Sequence, residues 1–117
     1  MSAQSVSSII ANQNDAFRSS AQHAKHLVGQ RVHTHGIEAL GLEIVLDIWS
    51  HVRRFETFTA DNDPHAEHDF GSFKHPVAGN VFWKIDYYDR SFKFGSENPA
   101  DPAVTARVLT VMLAEEY

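Results

Sequence analysis

Between Asp61 and Gly71 the chain reads DNDPHAEHDFG, which places four carboxylates (Asp61, Asp63, Glu67, Asp69) and two imidazoles (His65, His68) in eleven residues. Two histidines three apart beside acids are competent ligands for zinc or iron, with His65, His68 and Asp69 as the ligand set. If Glu67 served as base, the same four residues would make a metal-dependent hydrolase. Yet the spacing is not HExxH, and it lacks the ligand ladder and glycine of a calcium loop. The structural alternative is a tight turn in which Asn62 and Asp63 satisfy backbone donors. The metal reading has Asp63 cap a single helical turn, with Pro64 at its first position, so that His65 and His68 could face one way. The tight turn is the stronger reading, because isolated motif matches carry a high false-positive risk.

Other residues offer weaker chemistry. His33 and His35 would share one face of a short strand over Arg31–Ile37 as an HxH pair, but no third ligand accompanies them. Lys84 and Asp86 fall on one strand face with Phe82 and Tyr88. A buried Lys/Asp pair can move protons, whereas an exposed one is an ion pair worth under ~1 kcal/mol. The aromatic neighbours fit a protein-contact patch better. Neither GxGxxG nor GxxxxGK occurs, and with no cysteine and no GxSxG elbow nucleophilic catalysis has no obvious agent.

The elements that must hold these groups follow from periodicity. Val6, Ile9, Ile10, Gln13, Ala16 and Phe17 predict a first helix starting near Ser5. It ends after Arg18 or runs on to Leu27, with Gly29 as the stop. Leu42, Val45, Ile48, Trp49, Val52 and Phe55 predict a second helix. DFGSFKH and NVFWKIDYYD predict two strands joined by PVAGN, with Val81, Trp83, Ile85 and Tyr87 facing the core. Phe92 and Phe94 suggest a further edge strand. Asp101 as N-cap and Pro102 at the first position, followed by Val104, Val108, Leu109, Val111, Met112 and Leu113, predict a C-terminal helix central to the core, or with one side against another chain. Glu115 and Glu116 would then oppose its dipole, with Arg53, Arg54 and Arg107 as candidates to meet them. The fold class is α+β: an antiparallel sheet of three to four strands packed by about three helices, in a single domain over 1–117.

The bulk chemistry limits partners. Fifteen acids against ten bases leave a formal charge of −5, which argues against direct nucleic-acid binding and permits docking on a basic protein surface. No apolar run approaches the ~20 residues of a membrane span, and the N-terminus does not read as a signal peptide. The lack of cysteine fits a reducing, cytoplasmic setting. Eight histidines make the charge pH-sensitive between about pH 5 and 8.

At NDPHAEHDFG, FWKIDYYD and DPAVTARVLTVMLAEEY the chain resembles a family of small bacterial proteins known as domain of unknown function 3768, with similarity from about Asn14 to Tyr117. The resemblance implies accessory proteins of plasmids and phages and brings no activity. Ala66 stands where the family usually has glycine, which argues against a strained backbone there. His33, His35 and His51 lie outside the shared motifs. The expectation is a small acidic, non-enzymatic binding protein that needs no cofactor. It would act as a monomer or homodimer, inhibiting a host defence complex (an anti-CRISPR or anti-restriction role) through Asp61, Asp63, Glu67, Asp69, Lys84, Asp86 and Tyr88. The alternative is the metal-dependent hydrolase built on His65, Glu67, His68 and Asp69.

Overall fold

The computed structural model describes residues 5–19 and 24–117. Helix α1 (Val6–Ser19) opens under Ser5, whose hydroxyl accepts the Ser8 amide at 3.1 Å. This is an N-cap bond that satisfies one of the orphan donors of the first turn. The continuation toward Leu27 crosses residues 20–23, which lie outside the described residues, and Ala24–His26 form a turn. Strand β1 (Val28–His33), the short helix α2 (His35–Glu38) and helix α3 (Leu42–Arg54) follow. The hairpin β2 (Phe70–His75) and β3 (Gly79–Tyr88) forms as its alternation predicts, and β4 (Ala106–Leu113) completes the sheet.

The strand order is β1-β4-β3-β2. β4 runs antiparallel to β3 and parallel to β1, so the sheet is mixed rather than antiparallel. Phe17 of α1, Ile37 of α2 and Val45, Ile48 and Val52 of α3 join Val81, Trp83, Ile85, Leu109 and Val111 in one buried cluster. Each such side chain contributes roughly 1.5–3 kcal/mol on burial. The helices therefore lie on one face of the sheet. The other face carries Phe82, Lys84, Asp86 and Tyr88, all partly buried, beside exposed Gln30, Val32, Ser72 and Lys74.

The C-terminal helix does not form. Ala106–Leu113 is the central strand β4, and a 3-10 turn over Ala114–Glu116 ends the chain. A strand flanked on both edges, with buried residues on both faces, loses its alternation and then reads like a buried helix. Val108, Thr110 and Val111 supply the β-branched content that favours the strand. Asp101-Pro102 closes a turn instead: the Asp101 carboxylate accepts the Ala103 amide at 2.9 Å, and its carbonyl accepts Val104 N–H at 3.2 Å. The idea of a terminal helix meeting another chain lapses with the helix. Glu116 opposes no dipole; its carboxylate accepts from Thr34 Oγ1 (2.6 Å) and the Gly36 amide (3.1 Å), and the Thr34 bond leads in holding its pKa below the ordinary value.

Two smaller expectations also change. His35 begins α2, so His33 and His35 share no strand face. Phe92 and Phe94 form no strand, because the Asp89 carboxylate accepts the Ser91 and Lys93 amides and folds the segment into a turn, with a single bridge from Tyr88 to Gly95.

Candidate functional site

The acidic loop is a corner folded against α1. Asp63 is buried, and its carboxylate accepts the backbone N–H of His68 at 3.2 Å. His68 Nδ1 lies 3.0 Å from both oxygens of Asp15, and its ring stacks on Phe58 at 3.9 Å. Its Nε2 faces Asp63 Oδ2 at 3.6 Å. Glu67 accepts the Tyr87 hydroxyl at 3.1 Å, and its carbonyl accepts Asn14 Nδ2 at 2.9 Å. Asn62 accepts the Thr59 amide at 2.8 Å, the backbone role expected of it. Instead of the predicted helical turn, the segment passes twice through the left-handed region, at Ala66 (φ 55) and His68 (φ 56).

The strain at Ala66 corrects the sequence-based expectation of an unstrained backbone. A Cβ in that region costs roughly 1–2 kcal/mol, whereas glycine adopts it freely. Ala66→Gly is therefore expected to stabilise the protein by about 0.5–1 kcal/mol, net of the added freedom of the unfolded chain. Urea denaturation of the two proteins checks this; an unchanged or lower midpoint would contradict the strain.

Behind the loop lies a polar network that no motif announces. Arg107, on β4, is fully buried. It donates from Nε to Asn14 Oδ1 (2.8 Å) and from one terminal nitrogen to Gln13 Oε1 (2.7 Å) and the Pro99 carbonyl (3.0 Å). Asn14 in turn donates to Tyr87 Oη at 2.8 Å. Burial lowers the Arg107 pKa and raises that of Tyr87, so the phenol stays protonated as the donor to Glu67. This network joins α1, the loop, β3 and β4.

Of the predicted partner-binding residues, the structure turns Asp63 and Glu67 inward and leaves Asp61 exposed. Asp69, Lys84 and Asp86 come together in a cleft of about 340 Å³ on the helix-free face, with His65, Phe70, Ile85 and Tyr117 completing its walls. Tyr88 lies two positions beyond Asp86 on the same face of β3. The register sets Phe70 opposite Lys84, which brings the loop's end onto the strand. Lys84 Nζ pairs with Asp86 at 3.1 Å, both half-exposed. Burial first, then the Glu67 carboxylate, raises the Asp69 pKa above its ordinary value. The Tyr117 ring packs edge-on against Phe70 and Phe82 at 6.1 and 5.5 Å. Strand alternation predicts Phe70 here but not Tyr117, which a 3-10 turn in place of the expected helix carries over the sheet.

His65 and His68 point to different places: His65 lines the cleft, and His68 is clasped between Asp15 and Asp63. Among the described residues, the group whose ligand atoms lie within 4.8 Å of one another is instead Asp47, His51 and His75. Asp47 and His51 are one turn apart on α3, and His75 ends β2. Buried His75 accepts the Val77 and Ala78 amides at Nδ1 (3.1 and 3.2 Å) and meets Asp47 Oδ2 from Nε2 at 2.7 Å. Nδ1 is thus the acceptor, and the ring proton sits on Nε2. A metal on Nε2 would force that proton to Nδ1, against two N–H donors. The trio works as a clasp between α3 and the hairpin, and the His75 bond is the leading cause of the lowered Asp47 pKa. His33 is likewise occupied, accepting Trp49 Nε1–H at 3.0 Å and contacting Glu38 through Nε2.

Fold and site define a two-layer α+β domain whose open sheet face holds an aromatic-walled, acid-bearing cleft. The chain belongs to the protein family of unknown function DUF3768, whose model matches residues 33–116. No curated protein and no solved structure matches it. No helix among the described residues is long and apolar enough to cross a membrane.

Proposed function

We propose that this protein is a non-catalytic binding module that docks on a basic surface of a protein partner through the open sheet face. The observation that carries this reading is the division of the polar groups. Those that face inward are consumed by Asp15, Asn14 and Tyr87, while Asp86 and Tyr88 stay on β3 and Asp69 at the loop's end beside it, with Asp61 exposed farther along that loop. Aromatic and acidic side chains held by strands suit docking without chemistry, because electrostatic complementarity selects the partner and sets register. The net charge of −5 supports a basic partner. The concrete form we favour is inhibition of a nucleic-acid-handling defence complex of the anti-CRISPR or anti-restriction kind, whose basic surfaces such a face would occupy.

Reversal of Asp61, Asp69 and Asp86 to lysine together tests the reading. The triple variant is expected to fold normally by circular dichroism. It should lose roughly 100-fold in affinity for any partner that the native protein captures from host extract, since like-charge contacts cost several kcal/mol. Undiminished capture by the folded triple variant would remove this face from the function.

A further inference from the structure

We infer that the cleft lined by Asp69, Asp86, Phe70 and Tyr117 is a socket for one arginine side chain of the partner. The inference rests on the docking reading above and names what that surface grips. Within the cleft, Lys84 and Asp86 neutralise each other at 3.1 Å. The Asp69 carboxylate has no such cation: among the described residues no neighbour forms an ion pair with it, and no other residue's donor reaches it. One negative charge is therefore left without a contacting cation, with only His65 acting on it from a distance, and is partly withdrawn from water. That withdrawal carries an electrostatic cost, visible in the raised pKa, which an arriving cation removes.

The walls select which cation. Phe70 and Tyr117 stand at the cleft, with Pro64 adding apolar surface beside them. A guanidinium is planar, weakly hydrated and stacks on aromatic faces while its N–H fork meets a carboxylate. An ammonium is compact and strongly hydrated, and would forfeit more hydration in the same place. A volume of about 340 Å³, open to solvent on one side, accepts an extended side chain and excludes a folded domain.

The test uses the intact protein and a small probe, so that it does not depend on finding the partner. ¹⁵N-labelled protein is titrated with Nα-acetyl-arginine methylamide, with the neutral citrulline analogue and the lysine analogue as comparisons. Saturable amide shifts confined to His65, Asp69, Phe70, Lys84 and Tyr117 are expected. Binding should weaken roughly fivefold with citrulline, with the Asp69→Asn variant and with the exposed-ring variant Tyr117→Ala. It should also weaken as pH falls into the carboxylate range. A citrulline response equal to that of arginine overturns the socket, and so does Asp69→Asn binding within about twofold of native. Lysine binding as tightly as arginine overturns the choice of guanidinium, and shifts centred on Asp15 and His68 overturn the location. If the probe fails while the triple charge reversal still abolishes partner capture, the socket falls and the docking face stands; if the probe binds while the triple variant still captures the partner, the cleft takes arginine but the docking face falls, and with it the assignment of that arginine to the partner.

Discussion

Arg107→Ala is expected to destabilise the protein by about 4 kcal/mol, the largest effect of any single polar substitution here. The change leaves the buried Asn14 Oδ1 without a donor, removes the bonds of the partly buried Gln13 Oε1 and Pro99 carbonyl, and empties the volume of a fully buried side chain. Each buried unsatisfied group costs about 1–3 kcal/mol, and the missing side chain adds a cavity. Asn14 also holds Glu67 and Tyr87, so its release loosens the corner that carries Asp69. Against a typical stability of about 5–15 kcal/mol, such a loss leaves much of the population near its unfolding midpoint at physiological temperature. Arg107→Lys keeps the charge and loses the fork, which cannot then serve Asn14 and Gln13 together; about half the effect should remain. Urea denaturation of the three proteins measures the series. A loss under about 1 kcal/mol for Arg107→Ala would show that the network is dispensable.

Gly29→Ala is the second large effect. A Cβ at Gly29 would stand 2.2 Å from the Arg107 carbonyl oxygen and 2.6 Å from the Phe17 ring. Neither can yield cheaply, since the oxygen belongs to the central strand paired with β1 and Phe17 is fully buried. Overpacking of this kind costs about 1–3 kcal/mol, and more where backbone must move. We expect about 3 kcal/mol, with loss of β1 from the sheet seen as fast amide exchange at Val28–His33. Gly41→Ala is the control: its φ of 92 makes the backbone strained for alanine, but the space is open. It should cost only about 1–2 kcal/mol and leave β1 protected. Equal effects at the two glycines would show that the close approach at Gly29 is relieved cheaply and does not hold β1 in place.

Much of the architecture is visible along the chain. The stripe from Val6 to Phe17 is helical, and so is the longer one from Leu42 to Phe55, because only a period near 3.6 puts those residues on one side. The β2–β3 hairpin is equally plain: one strand face alternates strictly, and PVAGN provides the turn. The reading of DNDPHAEHDFG as a corner also follows from local rules, since an Asp before Pro binds nearby amides whatever surrounds it.

Near neighbours along the chain set α1, α3, the hairpin, and the placement of Asp69, Lys84 and Asp86 beside one another at the loop's end and on the strand it pairs with. Long-range packing decides that Ala106–Leu113 is a strand, that His65 and His68 part company, that Glu67 turns inward to Tyr87, and that Tyr117 walls the cleft. A segment buried on both sides carries no period to betray its conformation, and a polar side chain's direction is set by the partner it finds. Here the partners Asp15, Asn14 and Arg107 lie more than fifty residues away along the chain from His68, Glu67 and Asn14 respectively, the closest of these pairs separated by 53.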